Sequence, residues 1–196
     1  MTAFAQHLRQ EALLATTPSI RGRLRGGSDY ASPEQVRAQA TLLRLVSITE
    51  AYASMELVRC LEHDTPKPRS PLIESIVIGA EDRALSTWHS LADHYKDWLG
   101  IGLRNSPVWK PFNAAVNARN AAAHGLGELT RRQARKNSTQ LVADLKALDI
   151  TVQNGRMTIS RPALRNVVTA CREVIRWIDI ELDSHPEYRA AAGASK

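Results

Sequence analysis

The chain has 196 residues, 43% hydrophobic and 5% aromatic, enough to bury a core in one domain and too few to require two large ones. Lys and Arg number 26 against 20 Asp and Glu, a formal charge of +6, and 20 of those cations are Arg, whose rigid fork matches phosphate geometry. No apolar run approaches the roughly 18 residues of a membrane span, the first residues lack the basic start and apolar block of a signal peptide, and Cys60 and Cys171 stand far apart without ligand-spaced neighbours. These features argue against a membrane span, secretion, a disulfide framework and a zinc site, and predict a soluble cytoplasmic protein.

The pattern along the chain is helical. A helix over about 2–15 is followed by the basic linker Arg21-Gly22-Arg23-Leu24-Arg25-Gly26-Gly27-Ser28, read either as a nucleic-acid-binding arm or as a charged linker. Ser-Pro pairs, a capping Ser followed by Pro in the first turn, open the next segments at Ser32-Pro33, Ser70-Pro71 and Ser106-Pro107, with Ser160-Arg161-Pro162 close to the same form. Ser32 and Gln35 have capping-box spacing, and Val36, Ala40, Leu43, Ser47, Ala51, Met55 and Val58 then predict an amphipathic helix over 32–63. After the proline-rich turn 63–69, Ile73, Ile76, Val77, Ala80, Leu85, Trp88, Leu91, Tyr95 and Trp98 predict one long helix over 71–99, ended by Gly100-Ile101-Gly102.

A third helix is expected over 107–124, with Trp109, Phe112, Ala115, Val116 and Ala122 or Ala123 toward the core and a stop at Gly125-Leu126-Gly127. A basic loop and a short helix over 138–147 follow, with Leu141, Val142, Leu145 and Leu148 on one face. The period then changes: Ile150-Thr151-Val152-Gln153 and Arg156-Met157-Thr158-Ile159 flank Asn154-Gly155, a strong hairpin signal because both turn residues tolerate positive φ. The last helix, 161–183, carries Leu164, Val167, Val168, Cys171, Val174, Ile175, Ile178 and Leu182. The expected architecture is an all-α bundle over 32–185 with a small β-hairpin inserted before the last helix, preceded by a helix and basic linker over 1–31 and followed by a disordered tail over 186–196.

The candidate site lies in Asn117-Ala118-Arg119-Asn120-Ala121-Ala122-Ala123-His124-Gly125. Asn120 and His124 are four apart and share a helix face, and Arg119 stands beside them. The surrounding alanines leave room for another surface to approach. His moves protons near neutral pH, Arg clamps phosphate and stabilises developing charge, and Asn orients either, a set suited to phosphodiester chemistry. An Arg and a His at one separation arise by chance in so Arg-rich a chain; the Asn directly after the Arg and the His-Gly stop at a helix end narrow the match. The bland alternative is a His at a helix C-terminus and an Arg in a salt bridge.

Arg119-Asn120-Ala121-Ala122-Ala123-His124 resembles the Arg-polar-x-x-x-His signature of the HEPN superfamily, helical bundles many of which are metal-independent ribonucleases in toxin–antitoxin, phage-defence and RNA-processing systems. Gly125-Leu126-Gly127-Glu128-Leu129-Thr130 and the basic stretch after it also resemble the stand-alone RiboL-PSP-HEPN branch. The resemblance implies cleavage by 2′-hydroxyl attack on the adjacent phosphate, with His124 as general base or acid, Arg119 on the scissile phosphate and Asn120 positioning them. It also implies a homodimer with a composite site, no cofactor, and an antitoxin or defence-system partner. Arg131, Arg132, Arg135 and Lys136 are candidates for RNA contact, as against a solvated loop. A non-catalytic HEPN-like module that binds RNA or protein is the other reading.

Competing sites are weaker. His89, Asp93 and Asp97, with His94 beside them, share a helix face but lack a second ligand cluster, so no metal is expected. His63-Asp64 lacks the other ligands of a metal phosphohydrolase, and Trp88, Trp98, Trp109 and Trp177 occupy core-compatible positions. Further cations, Arg161, Arg165, Arg172 and Arg176, mark the last helix; together with the others they constitute an RNA footprint if they border the motif, and otherwise reflect an Arg-rich genome.

Overall fold

A computed structural model of the chain describes residues 32–65, 67–135, 138–185 and 188. The helix and linker expected over 1–31 lie outside the described residues, as do Lys136 and most of 186–196. The described residues are mostly helical: α1 (Pro33–Asp64), α2 (Pro71–Ala84), α3 (Trp88–Leu99), a 3-10 turn (Leu103–Asn105), α4 (Trp109–Gly125), α5 (Arg131–Arg135), α6 (Ser138–Ala147), the strands β1 (Ile150–Gln153) and β2 (Arg156–Ile159), and α7 (Arg161–Ser184). No helix among them is long and apolar enough to cross a membrane.

Ser32, Ser70 and Ser160 each accept a hydrogen bond from the backbone N–H three residues on, with Pro in the first turn, as their Ser-Pro patterns predict. Ser106 does not cap a helix: its hydroxyl donates to the Leu103 carbonyl at 2.6 Å, and α4 starts at Trp109 without a side-chain cap. The helix expected over 71–99 is two helices. Thr87 breaks it by accepting from the Ser90 N–H at 3.0 Å, while Ser90 Oγ donates to the Arg83 carbonyl at 2.6 Å. Apolar spacing runs through Leu85 and Trp88 regardless, so periodicity alone hides the break. The separated α2 buries only Ala84, and of the residues that carry its helical period Ile73 and Ile76 are exposed, with Leu72 and Ile78.

The buried line of α1 also differs from expectation. Ala38, Leu42, Val46, Thr49, Ala53, Leu57 and Cys60 face inward, while Val36 and Met55 are exposed. Both lines have helical spacing on a helix that is apolar around much of its circumference, and the inward one carries the larger aliphatics Leu42, Val46 and Leu57. This line packs against α7 and α4, and α4 packs in turn on α7 and α6. Tyr95 of α3 is buried and donates its hydroxyl to the Ala53 carbonyl of α1 at 2.8 Å. Trp88 stacks edge-on against Phe112 with ring centroids 4.5 Å apart, a packing role in keeping with its spacing.

The hairpin forms over the predicted residues, with Ile150 opposite Ile159 and Gln153 opposite Arg156, and Asn154 and Gly155 take φ of 51° and 81°. Its far end is fastened by an unexpected partner. Gln35 does not close a capping box; its side-chain amide donates to the Ile159 carbonyl at 3.0 Å and accepts from the Ile159 N–H at 2.9 Å, acting as one residue of an additional strand. The packed chain also extends past 185: Tyr188, assigned by sequence to the disordered tail, is buried and donates its hydroxyl to Asp64 at 3.0 Å, while its carbonyl accepts from Arg59 at 3.3 Å.

Gln35→Ala leaves the Ile159 N–H and C=O without their partner and is expected to cost about 1–3 kcal/mol in urea unfolding, against a few tenths for an alanine elsewhere on the exposed start of α1. Burial pushes the Cys60 thiol up to about 11 and raises that of Cys171, so neither is nucleophilic in the fold. Both are expected to resist iodoacetamide at about pH 8 until the chain is unfolded, as read by mass spectrometry.

Candidate active site

The motif helix α4 is held by small side chains. Ala114, Ala115, Ala118, Ala121 and Ala122 are buried together with Phe112 and Val116, and of the alanines between Asn120 and His124 only Ala123 is exposed. Ala115 and Ala122 thus face the core as their spacing predicts, and the surfaces these small side chains admit are those of the bundle's own helices.

On the outer side of α4, Arg119 and Asn120 are joined, Arg119 Nη1 donating to Asn120 Oδ1 at 3.2 Å. Of the five N–H donors of a guanidinium, this is the one committed among the described residues; Nε is buried without a partner. A buried unpaired donor costs about 1–3 kcal/mol and is rare enough to call for a functional or packing reason. His124 lies one turn beyond Asn120 on the same helix, exposed, and no hydrogen bond or ion pair joins it to Arg119, Asn120 or any other described residue. The structure thus brings Arg119 and Asn120 together and leaves the imidazole one turn away, free to meet a ligand.

The end of α4 is built by the backbone. Leu126 takes φ of 52°, its N–H and that of Gly127 turn back to the Ala121 carbonyl, and the Leu126 side chain is 84% exposed. Left-handed backbone costs a non-glycine residue about 1–2 kcal/mol, offset here by the contacts that follow. Gly127 has φ of 91°, its carbonyl accepts from the Met157 N–H at 2.8 Å, and the Leu129 N–H donates to the Gly155 carbonyl at 2.8 Å. Arg156 adds an ion pair with Glu128 at 3.3 Å. The His-Gly-Leu-Gly stop is therefore stitched to the hairpin, a connection with no signature in sequence spacing.

The basic stretch after the motif contains a five-residue helix where a loop was expected. Thr130 and Gln133 form a reciprocal cap: Gln133 N–H donates to Thr130 Oγ1 at 3.3 Å, and Thr130 N–H donates to Gln133 Oε1 at 3.0 Å. Gln133 Nε2 also donates to the Asn117 carbonyl of α4 at 2.8 Å. Sequence reasoning passed over Gln133, although the Thr130-x-x-Gln133 spacing is a legible cap. Its anchor docks α5 on the motif helix and sets Arg131, Arg132 and Arg135 in solvent, with no hydrogen bond to Arg119, Asn120 or His124; Lys136 lies outside the described residues.

Of the residues weighed as a metal set, His89, Asp93 and His94 have other partners. Arg104 Nη2 donates to Asp93 Oδ2 at 2.8 Å and to the His89 carbonyl at 2.9 Å, His94 Nδ1 bonds the Ser90 carbonyl at 2.8 Å, and the His89 ring meets Trp109 edge-on. Burial, with the nearby Arg104 guanidinium, holds His89 below its ordinary value; Arg132 of α5 acts in the same direction and Asp93 opposes them. Among the described residues no group of three acidic, His or Cys side chains could hold a metal ion. Compared with family models, curated proteins and solved structures, the chain matches none of them.

Gly127→Ala tests the stop. An added Cβ there meets the Gln39 side-chain amide, which can swing aside, but φ of 91° disfavours any L-residue. The expected loss is about 1 kcal/mol or more in thermal or urea unfolding, whereas Gly102→Ala, where a Cβ meets nothing closer than 3.9 Å and φ is negative, stays near native stability.

Proposed function

We propose that the chain is a metal-independent endoribonuclease of the HEPN type, acting as a homodimer in a toxin or phage-defence setting with a cognate antitoxin or defence partner. The observation that carries this reading is the Arg119–Asn120 hydrogen bond on the outer side of α4, with an exposed His124 one turn on that has no hydrogen-bond partner among the described residues. Arg119 binds the scissile phosphate through its uncommitted N–H groups, and Asn120 fixes the direction of that guanidinium.

In the reaction, a base removes the proton of the ribose 2′-hydroxyl and the 2′-oxygen attacks phosphorus. The P–O5′ bond breaks and an acid delivers a proton to O5′, leaving a 2′,3′-cyclic phosphate and a 5′-hydroxyl. His124 of one protomer serves as base or acid; a second copy across a composite site supplies the other. The exposed cations Arg131, Arg132 and Arg135, on a helix tied to α4, extend the phosphate-binding surface.

A second reading, a HEPN-like module that binds RNA or protein without cutting, draws on the burial of Arg119 Nε, which makes part of that guanidinium a packing group. Incubating purified protein with RNA in EDTA separates the two. Cleavage with cyclic-phosphate ends is expected, with His124→Ala and Arg119→Ala each lowering the rate at least about 100-fold while sedimentation still reports a dimer. Cleavage unchanged in both variants would remove this site from the chemistry, and RNA binding without cleavage by the native chain would select the second reading.

A further inference from the structure

Away from the motif, α1 and α7 enclose a shallow groove made of two adjoining hollows of about 430 and 460 Å³ that share Leu45 and Val168. No residue of α4 lines either hollow. The floor is aliphatic: Leu45 and Ile48 from α1, Leu164, Val168 and Ile175 from α7. Ile48 is 53% exposed, and Leu45, Leu164, Val168 and Ile175 are half-buried, so the aliphatic strip is contiguous and open to solvent.

The rim is basic. Arg161, Arg165, Arg172 and Arg176 recur along α7 at steps of four, seven and four, so they form one line beside the apolar line of Leu164, Val168 and Ile175. Arg176 pairs with Glu173 at 3.3 Å. The side chains of Arg161, Arg165 and Arg172 make no ion pair or hydrogen bond among the described residues. One turn past the groove, Asp179 is already engaged by the Tyr52 hydroxyl. On the other wall, Arg37 and Arg44 stand one turn before the lining residues Thr41 and Ile48.

We propose that this groove docks an acidic amphipathic helix of a partner protein. An aliphatic floor with cationic edges takes a helix whose apolar stripe enters the groove and whose flanking carboxylates meet the arginines. From Arg161 to Arg176 the line extends about 22 Å, four turns of helix. Nucleic acid fits the floor less well, since the hollows offer aliphatic side chains and no aromatic ring for a base to stack on. The ends of this chain have the wrong sign: residues 1–31 hold four Arg against one Glu and one Asp, and residues 186–196 hold one Arg and one Lys against one Glu. A second copy presenting the same face would set arginine against arginine.

The test uses the full chain and a fluorescein-labelled synthetic helical peptide of about 18 residues, with Leu at i, i+4, i+7 and i+11 and Glu on both flanks. Anisotropy is expected to show saturable binding that weakens with salt, at least about tenfold tighter than for the same peptide with Lys in place of Glu. Ile48→Asp, and the double variant Arg165→Glu with Arg172→Glu, are each expected to weaken it at least about tenfold; Arg165→Gln with Arg172→Gln repeats the test without charge reversal, and circular dichroism checks every fold. Absence of binding, equal binding of the Lys peptide, or binding indifferent to these variants overturns the proposal. So does a single-stranded RNA oligonucleotide that displaces the peptide and loses its own affinity in the double variant, or a dimer that Ile48→Asp dissociates.

Discussion

The bundle depends on how closely its neighbours can approach α4. The buried side of that helix is largely alanine, so the backbones of α1, α6 and α7 can come near it, and the separation of packed helices is set by the side chains between them. Alanine also favours the helix intrinsically and loses no side-chain entropy on burial. Larger aliphatics come from the partners: Leu42, Val46 and Leu57 on α1, Leu145 on α6, and Val167, Val174 and Ile178 on α7. Exchanging bulk between α4 and these partners would preserve total hydrophobicity and still damage the fold, because the extra volume has nowhere to go without displacing a backbone.

That constraint explains the character of the candidate site. A helix packed on one side keeps its other side for chemistry, and the candidate residues Arg119, Asn120 and His124 lie outside its buried alanine face. The same tight packing fixes the axis on which these side chains stand, so precision comes from the scaffold and not from a dense net of hydrogen bonds. Among the described residues, the Arg119–Asn120 hydrogen bond is the one that links two members of the trio.

Elements with local signals were legible. The Ser-Pro caps, the Asn154-Gly155 turn and the glycine-rich stop after His124 each write a backbone requirement into two or three adjacent residues, and the structure honours all but the pair at Ser106. Facing and continuity were less legible. On α1 two interleaved lines of apolar residues have the same period, and the choice between Met55 and Leu57 is made by partners far away in sequence. At Ser86-Thr87 a polar pair outweighs an unbroken apolar rhythm because a cap bond is a local gain that the rhythm does not oppose. Long-range fastenings were invisible: Gln35 to Ile159 and Gln133 to Asn117 join residues that no spacing rule connects. For the site, the trio of residue types and the burial of Ala115 were readable, while the choice of Ala122 over Ala123 for the core was not, since alanine is equally at home inside and outside a bundle.

The hairpin has a mechanical meaning that its size conceals. Ile159 at one end is gripped by the first turn of α1, and Gly155 and Met157 at the other are bonded to the segment that terminates α4. Two helix ends distant in sequence are thus clasped by eight strand residues and a tight turn. Fraying, which ordinarily spreads from each helix terminus on its own, is here opposed at both termini by the same hairpin, which holds Gly127 and Leu129 just past the turn that carries His124. The terminus nearest the candidate chemistry therefore belongs to a cooperative opening unit, while the lightly buried α2 can open with little consequence for it.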